Sequence, residues 1–142
     1  MGAGALFGTS GGPKRLVFGR ERPSLASWES ELLARLQPGW AEVSHAFSGT
    51  EVVRIVETGL VDLALVADAP RLDGLSVLRM IRSIDARLPC VLVADGPDRR
   101  WLEAALALRA ESVFSPPVDV DQMCGLLGRL LGSAVREAGG VQ

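Results

Sequence analysis

The fifteen residues VDLALVADAPRLDGL, Val61 to Leu75, constrain this chain more than any other stretch. They begin as an unbroken apolar run rich in Val and Leu, the pattern of a strand buried on both faces. The run breaks at Pro70 and restarts at Asp73-Gly74 as a helix. A buried strand, a surface loop at its carboxyl end and a following helix make half of a parallel βαβ unit. In open α/β sheets, ligands and chemistry collect at that carboxyl edge. The loop around Pro70 is therefore the first place to look for function.

The rest of the chain repeats the pattern. Arg15–Gly19 predicts a first strand, with Leu16, Val17 and Phe18 as its apolar heart. Ser24 is placed to cap the next helix, and Leu25, Trp28, Leu32 and Leu36 recur at helical spacing as its core face. Pro38-Gly39 stops it. Ala41–Phe47 alternates as a second strand that carries His45, read as a surface or edge histidine. Ser48 opens a second helix bearing Val52, Val53, Val56 and Leu60. Val61–Val66 is the third strand, and Asp73 caps a third helix with Leu75, Leu78 and Ile81 on one face. Cys90–Val93 is a fourth strand, Asp95-Gly96-Pro97-Asp98 a turn, and Arg99–Arg109 a fourth helix. Ser112–Phe114 is a short fifth strand before Pro116-Pro117. Asp119 caps a last helix with Val120, Met123, Leu127, Leu130 and Leu131 inward. Five alternations of strand and helix predict an α/β, flavodoxin-like (βα)5 domain. Its doubly wound parallel sheet has the order 2-1-3-4-5.

Length and composition fit one domain of ordinary size over residues 15–136, between a Gly-rich tail at 1–14 and a frayed end at 137–142, both expected to be disordered. Gly8 to Lys14 faintly resembles a phosphate-binding loop. It fails on Pro13, on Arg15, and on preceding a strand rather than following one. A net charge of -2 speaks against nucleic acid or an anionic membrane as partner. No apolar run approaches the ~20 residues of a membrane span. One histidine and no Cys-x-x-Cys spacing leave no credible metal site, and no cofactor is expected. Cys90 and Cys124 read as buried thiols of a reducing cytosol, so the protein is expected to be cytoplasmic.

In order along the chain, Asp62-Leu63-Ala64-Leu65-Val66, then Pro70 and Asp73-Gly74-Leu75, Leu88-Pro89-Cys90-Val91-Leu92-Val93 and Val113-Phe114-Ser115-Pro116-Pro117-Val118-Asp119 resemble a response-regulator receiver domain (CheY-like) from about Arg15 to Leu131. That resemblance implies phosphoryl transfer to an aspartate at the end of the third strand. A divalent metal held by an acidic pair after the first strand, a Ser/Thr hydroxyl after the fourth and a lysine after the fifth would neutralise the charge. Carried over position by position, the acceptor falls four residues before Pro70, at Val66, or at Ala67 with a one-residue gap. The acidic pair falls at Arg20 and Glu21, the hydroxyl at Ala94, and the lysine at Pro116. The aromatic that moves with the hydroxyl in the family falls at Val113. The chain resembles a degenerate pseudo-receiver, with the fold kept and the phosphorylation site gone.

Two further expectations attach to this loop cluster. Asp68, two residues past Val66, could form a displaced acidic pocket with Glu21 and Asp95 and serve as a weak phosphoacceptor. Alternatively Arg20 stands where the metal would, paired with Glu21 and Asp68.

Without that chemistry the remaining asset is surface, and no enzymatic activity is expected. Receivers signal through the face of the fourth helix, fifth strand and fifth helix. In this register Leu102, Leu106, Val113 and Leu126 fall there, with Trp101 beside them. Such an apolar face suits a protein partner in a bacterial signalling complex, or a homodimer. Gly125, Gly128 and Gly132 would admit a close neighbour to the last helix. Arg109 replaces a helix-ending glycine. The competing readings are a weakly phosphorylatable receiver using Asp68 and a small-ligand sensor using an emptied pocket lined by Val66, Ala94 and Pro116. The chain ends shortly after the fifth helix, so output is expected from a partner or from a longer protein.

Overall fold

The computed structural model describes residues 12–135. Nearly all of the expected tails therefore lie outside the described residues, as do Gly8 to Gly11 of the loop-like stretch. Five parallel strands form one sheet: β1 (Lys14–Gly19), β2 (Ala41–Ala46), β3 (Leu63–Ala67), β4 (Cys90–Val93) and β5 (Ser112–Phe114). Their order is β2-β1-β3-β4-β5, the flavodoxin-like order expected from the alternation. Five helices connect them: α1 (Ser27–Leu36), α2 (Gly49–Glu57), α3 (Gly74–Ile84), α4 (Arg99–Ala107) and α5 (Val120–Leu131).

Alternation along the strands builds two cores. Val17, Ala64, Val66 and Leu92 face Val52, Val56, Leu78 and Ile81 of α2 and α3. Leu16, Phe18, Leu65 and Val91 face Leu32 and Leu36 of α1 and Met123 and Leu127 of α5. Trp28 packs on Phe18, ring centroids 6.0 Å apart, so its role is packing as expected. Gly19 lets α2 close on β1, because a Cβ there would sit 2.6 Å from Val52 Cγ2.

Local capping chemistry sets most helix starts. The Ser48 hydroxyl accepts from Glu51 N–H, Asp73 from Leu75 and Ser76, and Asp119 from Gln122. Ser24 does not cap α1. The chain stays irregular to Ala26, and the Glu29 carboxylate reaches back to Ala26 N–H at 2.7 Å. Leu25 is consequently outside the helix and exposed, and Leu60 lies beyond α2 and is likewise exposed. The third strand starts two residues later than its apolar run. The Asp62 carboxylate turns back to accept from Arg15 N–H at 2.8 Å, and β3 pairs from Leu63 to Ala67.

α4 ends at Ala107, two residues short of the expected Arg109. Arg109 takes the left-handed conformation, φ 62°. A non-glycine residue there is strained. Arg109→Gly is expected to raise stability by about 0.5–1 kcal/mol, read from urea midpoints. The glycines of α5 have separate local settings. Gly132 is the left-handed cap that ends it, Gly125 is exposed, and at Gly128 the chain itself turns back: a Cβ there would meet Ser133 O at 3.2 Å.

Candidate functional site at the carboxyl edge of the sheet

The loops after β1 and β3 border an open cleft of about 400 Å³ lined by Arg20, Glu21, Arg22, Glu29, Ala67 and Asp68, among others. Asp68 is the first residue beyond β3, and its N–H continues the ladder to Val93 O at 2.7 Å. The last registered pair is Ala67 with Val93, so the next positions, Asp68 and Ala94, lie side by side. Val66, where counting from Pro70 puts the acceptor, is inside the strand and 1% exposed. The reason is loop length. Asp68 precedes Asp73 by five residues where the resemblance needs seven. Residues 69–72 close as a tight turn, with Ala69 and Leu72 exchanging both backbone hydrogen bonds at 3.0 Å.

All three carboxylates of the cleft serve the backbone, Glu29 through Ala26 N–H as described above. Asp68 Oδ1 accepts from Gly74 N–H, the first residue of α3, at 2.7 Å. Glu21 Oε2 accepts from Arg71 N–H in the tight turn at 2.8 Å. Burial lifts the Asp68 carboxyl above the usual aspartate range; the Gly74 bond opposes this and the nearby Asp73 adds to it. Asp95 is exposed and does not line the cleft, so the pocket of Glu21, Asp68 and Asp95 is not assembled.

Arg20 does not pair with Glu21 or Asp68. It is buried, 6% exposed, and turned toward β2. Its Nε donates to Arg22 O at 3.0 Å and Nη2 to Pro23 O at 3.2 Å, while Nη1 lies 2.7 Å from His45 Nδ1. Phe18 and Phe47 rings lie against the guanidinium, at 5.0 and 5.2 Å. The aromatic walls divert the side chain from the carboxylates. His45 is an exposed residue of the edge strand β2, as read from sequence; what that reading missed is its contact with Arg20. The signal lies in the register: Phe18 pairs with His45, which brings Arg20 and the imidazole to one corner of the sheet.

The other carried-over positions offer little polar chemistry. Ala94 is buried and has no hydroxyl, Pro116 is exposed and has no ammonium group, and Val113 is half-buried in β5. Val66 and Ala94 are buried, 1% and 3% exposed, while Pro116 is exposed. No group of three His, Cys, Asp or Glu among the described residues is arranged to hold an ion, and each cleft carboxylate has one oxygen engaged by backbone. Burial also makes the thiols poor nucleophiles, with Cys90 pushed up to about 11 and Cys124 raised. On the proposed face, Leu102 and Leu106 are exposed, Leu106 by 69%, while Trp101, Val113 and Leu126 lean into the cores. No helix among the described residues is long and apolar enough to cross a membrane.

No protein-family model matches the chain, and no curated protein matches its sequence. Its fold is similar to many solved receiver domains. A CheY-like receiver domain from Methanospirillum hungatei is 17% identical with a TM-score of 0.71, covering 84% of this chain and 95% of that one. The signal receiver domain of an HD domain-containing protein from Pseudomonas fluorescens is 19% identical with a TM-score of 0.73, at 84% and 95% coverage. Chemotaxis protein CheY4 from Vibrio cholerae is 16% identical with a TM-score of 0.69, at 83% and 98% coverage. The chain has the CheY-like receiver fold.

Proposed function

We propose that this receiver-fold protein works as a phosphorylation-independent interaction module in bacterial signal transduction. It engages a protein partner, or a second copy, through the face made by α4, β5 and α5. The observation that carries the reading is the state of Asp68. Its carboxylate is committed to the start of α3, and the residue beside it is Ala94. A phosphoryl group arriving there would meet no hydroxyl from Ala94 and no ammonium from Pro116. Phosphoryl transfer depends on such charge neutralisation. The exposed Leu102 and Leu106 give the proposed face its apolar centre.

A second reading, weak phosphorylation at Asp68, is favoured by one observation: Asp68 is the carboxylate at the end of the central strand. Intact-mass spectrometry after incubation with acetyl phosphate and Mg²⁺ separates the two. The interaction reading predicts no mass increase under conditions that label an active receiver. A gain of one phosphoryl group, lost in Asp68→Asn, would replace it with the second reading.

A further inference from the structure

The most enclosed charge at the carboxyl edge of the sheet is held by the chain's single histidine. Arg20 has donors only, so the 2.7 Å contact requires His45 Nδ1 to be the acceptor and puts the ring proton on Nε2. An imidazolium carries N–H at both nitrogens. It cannot accept, and it would set a second positive charge against the guanidinium. The same guanidinium holds the carbonyls of Arg22 and Pro23, and with them the loop between β1 and α1.

We propose that His45 is a pH-sensitive latch on this loop: protonation of its ring expels Arg20 from between Phe18 and Phe47 and frees residues 22–25. Arg22, Ser24 and Leu25 form one wall of the open cleft that holds Glu21 and Asp68, so release of the latch displaces that wall. The charged groups on the surrounding elements leave Arg20 as the ring's charged partner. Glu29 of α1 bonds Ala26 N–H, and Glu51 of α2 bonds Phe47 N–H, each at 2.7 Å. Glu42 of β2 lies 3.8 Å from Arg15, toward the other end of the strand. Burial, and then the Arg20 charge, hold His45 below the usual histidine value of 6.5. The unfolded chain therefore takes the proton first. The contribution to stability is complete above about pH 6.5 and is lost as pH falls through the lower folded value.

The test is an NMR titration of the protein from pH 8 to 5. It follows the His45 ring, the backbone amides and the Arg20 δ-protons. The latch predicts a His45 midpoint below 6.5. The amides of Glu21, Arg22, Ser24, Ala26 and Phe47 should move with that midpoint, and the ring-shielded Arg20 signals should shift toward free-arginine positions. His45→Gln supplies a neutral acceptor and should keep the loop closed and insensitive over the same range. Arg20→Gln should return the His45 midpoint toward 6.5; if that variant fails to fold, the His45→Gln comparison decides alone. Loop amides and Arg20 signals that stay fixed while His45 titrates, or an unchanged loop response in His45→Gln, would overturn the proposal.

Discussion

Val66→Asp is expected to leave the protein largely unfolded at neutral pH. Val66 is 1% exposed and shares its core with Val17, Val52, Leu72 and Leu92. A carboxylate there has no cation in that cluster and no access to water. Burying such a group costs about 4 kcal/mol or more, against a total of roughly 5–15 kcal/mol for a domain. Val66→Ala, which only removes volume, should cost about 2 kcal/mol and stay folded. Circular dichroism with urea titration reads both. The comparison has functional weight, because Val66 is the position that counting from Pro70 assigns to the acceptor. A folded, Mg²⁺-binding Val66→Asp protein would mean that the strand end is misassigned. It would restore the counted register.

Arg82→Ala should produce the next largest loss, about 3 kcal/mol. One guanidinium ties four backbone carbonyls. Nε donates to Leu108 O at 2.8 Å, Nη1 to Asp85 O at 3.2 Å and Leu88 O at 2.8 Å, and Nη2 to Arg109 O at 3.0 Å. These carbonyls close the ends of α3 and α4, where helix dipoles favour a cation. Lysine has a single ammonium and cannot span four acceptors on two segments. Arg82→Lys should therefore recover less than half of the loss. Urea midpoints check this, and a loss under about 0.5 kcal/mol for Arg82→Ala would contradict the role.

The parts of this fold that were legible in the sequence are those fixed by short-range chemistry. Cys90–Val93 and Ser112–Phe114 are strands with the bounds their apolar runs suggest. Ser48, Asp73 and Asp119 cap helices because their side chains reach N–H groups two or three residues on. Ser24 misleads because Glu29 supplies the competing cap three residues after Ala26. The third strand was shifted because Val61 and Asp62 continue its pattern, while Asp62 is drawn off to Arg15 N–H.

The site was less legible, for two reasons. Its register depends on the length of the connection after β3. Hydrophobic periodicity does not encode that length, and the tight turn at Pro70-Arg71 shortens it. Its electrostatics depend on which strand neighbours β1. Arg20 and His45 are 25 residues apart in sequence. Only the β2–β1 pairing brings them into contact. The positions without polar chemistry, Ala94 and Pro116, were readable directly as residue types.

The central claim, that this receiver fold lacks phosphoryl chemistry, is tested most directly by an amide NMR titration. Mg²⁺ is added first, then beryllofluoride as a mimic of the phosphoryl group. The account predicts no saturable shifts at Glu21, Asp68, Gly74 or Ala94, since Glu21 and Asp68 are each held by a backbone N–H group. Saturable Mg²⁺-dependent shifts at those residues, completed by beryllofluoride and lost in Asp68→Asn, would contradict it and identify a working acceptor.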